Sequence, residues 1–130
     1  QTNVDIVNGS RLLKGACVKN RSPLREFTSR SLNLIVPVLL QTQFTDAMCG
    51  FKFLRRNVAQ LLCEQSNKTD GWFFCAEILV KAEWQKMKIE EIPVRWTDDN
   101  DSRVNVIQLG IRYMREIFRL NRERASFLTK

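Results

Sequence analysis

The alternation of apolar and polar positions divides the chain into extended and helical segments. The run VDIVNGSR predicts a short strand that ends in a turn at Gly9, where the backbone is free in φ. Ser22 and Pro23 then read as the N-cap and first residue of a helix, because Leu24, Phe27, Ser31, Leu32, Ile35, Val38 and Leu39 recur at spacings of three and four. Pro37 lies inside this pattern and is expected to kink or end the helix. After the turn-like TDAMCG, a strand is predicted to begin at Gly50 and run through FKFL. A helix through Val58, Leu61 and Leu62 follows and closes near QSNKTDG.

GWFF leads into another helix, in which Ile78, Leu79, Ala82, Glu83 and Trp84 form a buried stripe flanked by Lys81 and Lys86. KIEEIPVRW alternates Ile89, Ile92, Val94 and Trp96 with charged neighbours, and Pro93 points to an edge strand. TDDNDS is a loop. A final amphipathic basic helix over about 104–125 carries Val106, Ile107, Leu109, Ile111, Tyr113, Met114, Ile117, Phe118 and Leu120 on one face. Arg112, Arg115, Arg119, Arg122 and Arg124 hold the other. Strands interleaved with helices of this length make an α/β layer architecture.

Composition narrows the chemistry. With 130 residues, 44% hydrophobic and 27% charged, the chain is sized for one domain and needs no metal or disulfide to fold. Apolar runs such as Leu34 to Leu40 fall short of the roughly 18 residues of a spanning helix. A net charge of +7 favours an anionic partner: phosphates, nucleic acid or an acidic membrane surface. There is no histidine, so imidazole acid–base chemistry and Ser/His or Cys/His nucleophile pairs are excluded. Cys17, Cys49, Cys63 and Cys75 form no C-x-x-C pair, which argues against zinc and for reduced thiols. The chain begins with Gln1 inside a predicted strand, as a piece cut from something longer would.

Three polar clusters could carry chemistry. Arg11 follows the first strand, and Arg25 and Ser29 lie one helical turn apart with Arg30 beside them. Guanidinium forks, a hydroxyl and a helix N-terminus suit phosphate oxygens, although solvated surface arginines give the same spacing. Asp46, where a loop meets a strand, is either a reactive carboxylate or a cap for backbone amides. Glu77 stands among Phe73, Phe74, Ala76, Ile78 and Leu79, so its carboxylate is either paired to an arginine or used in a site.

The order of motifs adds a family resemblance. GSR, then R-x-x-x-S-R-x-x-N, then D-x-x-C-G-F-K-x-x-R-R, then F-x-x-E-I-L, then I-x-E-I-P-V-x-W, then S-R before a last helix, resembles the polyprenyl-phosphate glycosyltransferases. These are family 2 glycosyltransferases of the GT-A fold, and the resemblance is strongest to dolichyl-phosphate mannose synthases and dolichyl-phosphate glucosyltransferases.

The resemblance implies that Arg11, Arg25 and Ser29 hold the acceptor's lipid phosphate. Ser102 and Arg103 match the pair that contacts the donor diphosphate, although the usual preceding glycine is absent. Asp46 matches the aspartate at the reaction centre, as catalytic base or as the group that orients the acceptor, and Glu77 an acid of the same site. The nucleotide-sugar half with its D-x-D motif has no counterpart. The chain then reads as the acceptor-side, C-terminal half of the fold, with a mixed sheet flanked by helices and an open strand edge near Val4 to Val7. In the intact enzyme magnesium or manganese is expected on the absent half, with no metal ligands in this chain, and the fragment alone is expected to be inactive. The implied reaction moves a hexose from a nucleotide sugar to a polyprenyl phosphate with inversion, at the cytoplasmic face of a membrane. The alternative is a basic, non-catalytic module for nucleic acid, a protein or a membrane; nucleic acid is disfavoured because Trp72, Phe73, Phe74, Trp84 and Trp96 sit in core-like patterns.

Overall fold

A computed structural model describes residues 3–66, 73–97 and 105–129. Its elements are β1 (Ile6–Ser10), β2 (Cys17–Lys19), α1 (Pro23–Leu40), β3 (Lys52–Leu54), α2 (Arg56–Gln65), α3 (Phe73–Trp84), β4 (Ile89–Pro93), β5 (Arg95–Thr97) and α4 (Val106–Leu128). Among the described residues the strands form a three-stranded sheet in the order β3-β1-β4 and a two-stranded parallel ribbon of β2 and β5. β1 runs antiparallel to β3, with Ile6 opposite Leu54, and parallel to β4, with Ile6 opposite Ile89. The architecture is mixed α/β.

Several sequence expectations are corrected here. β1 is paired on both sides, so the sheet's edges are β3 and β4 rather than the stretch Val4 to Val7. The Pro93 strand is at an edge, as its missing donor demands. Gly9 makes no turn but continues β1, because a Cβ there would stand 2.7 Å from Val94 Cγ1 and 3.0 Å from Phe51 Cβ. The glycine is needed for close approach, and the turn falls later, at Gly15 with φ +97°. The strand expected from Gly50 starts at Lys52.

Ser22 caps α1 as expected, its side chain accepting from the Arg25 N–H at 3.2 Å. Pro37 does not end the helix, which runs on to Leu40 and closes with Gln41 in the left-handed region. Val36 and Leu40 are fully buried on either side of the proline, and that packing outweighs a loss of about 3 kcal/mol from the missing bond. α1 buries Leu32, Asn33, Val36 and Leu40 but leaves Leu24, Phe27, Leu34 and Val38 exposed, so the predicted stripe is divided between core and surface.

α3 is buried almost all round, from Phe73 through Ala82, and Lys81 is inside rather than flanking. Its ammonium meets Glu77 Oε1 at 3.0 Å and also donates to the Gln65 carbonyl. On α4, Tyr113, Ile117 and Leu120 face the core, whereas Ile107, Ile111 and Phe118 are exposed. Arg119 leaves the predicted solvated face to bridge Glu77, Glu116 and Glu123, and Arg124 donates to the Leu39 carbonyl at 3.0 Å. No described helix is long and apolar enough to cross a membrane. The four cysteines are free, Cys49 being buried.

Candidate functional site

Parallel strands β1 and β4 end side by side, and the segment after α1 is fastened over their carboxyl ends. Asn8 and Ser10 are buried polar residues of β1, and each has a partner there. The Asn8 amide donates to the Asp46 carbonyl at 3.0 Å and to Glu91 Oε2 at 3.2 Å, while the Ser10 hydroxyl lies 2.6 Å from that of Thr45. The Glu91 carboxylate accepts from the Thr45 N–H at 2.9 Å, and Asn33 of α1 accepts from the Ala47 N–H at 3.0 Å. Buried groups of this kind cost free energy unless paired, so the web fixes residues 45–47 in one conformation.

The carboxylate of Asp46, wholly buried, is thereby presented to Arg11. Arg11 donates to it from its backbone N–H at 3.0 Å, from Nε at 2.8 Å and from Nη2 at 3.0 Å. The Met48 N–H adds a bond of 3.3 Å. Burial alone would raise the Asp46 carboxyl, but the hydrogen bonds and charge of Arg11 more than reverse this and hold it below its ordinary value. On its other side the Arg11 guanidinium stands 5.5 Å from the centre of the Trp96 ring. Asp46 is thus both a cap and a brace, and its bonds are spent on orienting Arg11.

That arginine borders a cavity of about 360 Å³ between α1, α4 and the strand ends. Arg11, Arg21, Arg25, Thr28, Ser29 and the phenol-bearing Tyr113 supply its polar lining, and Leu32, Met48, Val106 and Leu109 its apolar wall. Arg11, which follows β1, is therefore brought to the same cavity as Arg25 and Ser29 of α1. Arg30 is not among the lining residues; its Nε meets Glu26 at 2.6 Å at the surface. Two buried hydroxyls of the lining, Ser29 Oγ and Tyr113 Oη, have no hydrogen-bond partner among the described residues. Burial pushes the Tyr113 phenol up to about 12.

Glu77 lies apart from this lining. Its carboxylate is fully buried and paired with Lys81 at 3.0 Å and with Arg119 at 3.0 Å, which fastens α3 to α4. Arg119 is raised above its ordinary value: burial opposes the charge, and the bonds to Glu77, Glu116 and Glu123 outweigh it. Ser102 and Arg103, like the acidic loop of Asp98 to Asp101 and Trp72, lie outside the described residues. Among the described residues no three of the metal-ligating types converge. Sequence reasoning missed Arg21 and Tyr113, the first because it precedes the helix cap and the second because its position fits the core pattern.

Comparison with known proteins finds sequence relatives of the chain. The chain is 34% identical over 102 residues to a dolichyl-phosphate beta-glucosyltransferase of Trichomonas vaginalis, which covers 78% of this chain and 30% of that protein. It is 30% identical over 104 residues to the glycosyltransferase AglD of Haloferax volcanii, covering 80% of this chain and 16% of the relative. A dolichyl-phosphate beta-glucosyltransferase of Dictyostelium discoideum is 29% identical over 122 residues, covering 92% and 37%. The chain is thus related in sequence to the polyprenyl-phosphate glycosyltransferases, the family its motifs resemble, and it spans 16–37% of the length of these relatives. No family model matches the chain, and no solved structure does.

Proposed function

We propose that this chain forms the acceptor-binding half of a GT-A, family 2 glycosyltransferase that moves a hexose from a nucleotide sugar to a polyprenyl phosphate, with inversion at the anomeric carbon. The observation that carries this reading is the cavity, in which Arg11, Arg21 and Arg25 converge beside unpartnered hydroxyls against an apolar wall. Guanidinium forks bind phosphate oxygens bidentately, and the apolar side suits the first isoprene units. A phosphate monoester is already ionised at pH 7 and is its own nucleophile. One of its oxygens forms the new bond to the anomeric carbon as the bond to the leaving nucleoside diphosphate breaks, and no proton must be removed. Positioning and charge neutralisation then do the work. In this scheme Asp46 acts by orienting Arg11, Glu77 by packing α3 on α4, and Ser102 and Arg103 meet the donor diphosphate.

A divalent metal, magnesium or manganese, would neutralise the leaving diphosphate when bound. The described residues do not fit it, since the buried carboxylates Asp46 and Glu77 are already engaged by cations. Following the family resemblance, we assign metal and nucleotide to the nucleotide-sugar half of the fold, and expect no transfer from the chain alone. Exposed Leu24, Phe27, Leu34 and Val38 on α1, with Ile107, Ile111 and Phe118 on α4 beside Arg112 and Arg115, suit the cytoplasmic face of an anionic membrane, where the lipid stays embedded.

The test is Arg25→Ala in the intact enzyme. A charge-assisted bond of about 1.5 to 3 kcal/mol is lost, so the KM for polyprenyl phosphate should rise about tenfold or more while the nucleotide-sugar KM holds. Unchanged acceptor kinetics, or tight and salt-steep RNA binding by the chain in place of polyprenyl-phosphate binding, would overturn the reading.

A further inference from the structure

Tyr113 is the single tyrosine of the chain, and no motif carries it. It sits in mid α4 with only 4% of its surface exposed, its ring 5.8 Å from that of Phe73 across the helix interface. Packing alone would be served by phenylalanine. The hydroxyl instead lies buried with no partner among the described residues, an arrangement that costs free energy unless something supplies an acceptor. Tyr113 lines the same cavity as Arg11, Arg25 and Ser29, the cavity in which the arginines would hold an anion.

We propose that Tyr113 is a further acceptor-binding residue, its hydroxyl donating a hydrogen bond to a phosphate oxygen of the polyprenyl phosphate. The assignment rests on the acceptor reading above and deepens it. With its phenol at about 12 the group keeps its proton across the physiological range and is a donor at every working pH. A neutral donor has a further use: it satisfies a phosphate oxygen without adding another cation to a cavity that already holds Arg11, Arg21 and Arg25.

The experiment compares Tyr113→Phe with Arg25→Ala in the intact enzyme. Tyr113→Phe should raise the acceptor KM about tenfold, leave the donor KM unchanged and leave the thermal midpoint unchanged or higher, since an orphaned donor has been removed. A purely structural tyrosine gives the opposite pattern, a lower midpoint with normal acceptor KM, and would overturn the proposal. Inhibition by inorganic phosphate and by a short-chain prenyl phosphate should weaken by the same factor; weakening of the prenyl compound alone would assign Tyr113 to the hydrocarbon and refute the phosphate contact. If Arg25→Ala raises the acceptor KM and Tyr113→Phe does not, this inference fails and the acceptor reading stands; if neither does, the reading itself fails. A measurement free of mutation is the ring resonance of the chain labelled at its one tyrosine. It should move on titration with the short-chain prenyl phosphate, and a resonance that stays put at saturation counts against the proposal.

Discussion

Asp46→Asn removes the charge that braces Arg11 and keeps the size of the side chain. The Arg11 side chain is 8% exposed and that of Asp46 0%, so water screens neither partner. The asparagine must turn either its amide toward the guanidinium, setting donor against donor, or its oxygen, which can answer only part of the Nε and Nη2 fork. Taking one partner from a buried ion pair costs about 3–5 kcal/mol, a large share of the about 5–15 kcal/mol that holds a domain of this size. The thermal midpoint should fall by about 10 °C or more. The assay is urea unfolding of the wild type, Asp46→Asn, Arg11→Met and the double variant. Because the residues touch, the double variant should be less damaged than the sum of the singles, by about 1–3 kcal/mol. Acidity supplies a second readout. The Asp46 carboxyl is held below its ordinary 3.8, so its stabilising effect is fully present above that value and is lost as pH falls through the lower folded value. The gap between wild type and Asp46→Asn should therefore close below about pH 3.8. Additive losses together with a gap independent of pH would refute the brace.

Two further substitutions test the packing that positions the site. Gly9→Ala would drive a Cβ to 2.7 Å from Val94 Cγ1 inside the sheet, so a loss of about 1–3 kcal/mol is expected in urea unfolding; a wild-type midpoint would show that Val94 yields freely. Glu77→Gln strands the Lys81 ammonium and the Arg119 guanidinium that it pairs. It should cost about 3–5 kcal/mol, read by the same unfolding assay, and a neutral result would mean that Glu116 and Glu123 suffice for both cations.

Much of the secondary structure was legible because its causes are local. Ser22 and Pro23 start α1 by capping and fixed φ, the apolar spacing of Val58 and Leu62 makes α2, and Pro93 marks an edge by lacking a donor. The arginine–serine pair on α1 was legible too, since Arg25 and Ser29 are one turn apart in any helix. Tertiary structure alone decided the rest. Gly9 and Pro37 are governed by what packs against them, Val94 and Phe51 for the first and the core around Val36 and Leu40 for the second, and no local rule contains those neighbours. Glu77 carried two readings in sequence until its partners, Lys81 one turn on and Arg119 on another helix, were in place. Arg119 departs from its helical pattern for the same reason. A charge belongs inside when three carboxylates meet it there, and a tyrosine on the core face of a helix gives no local sign of the cavity that it lines.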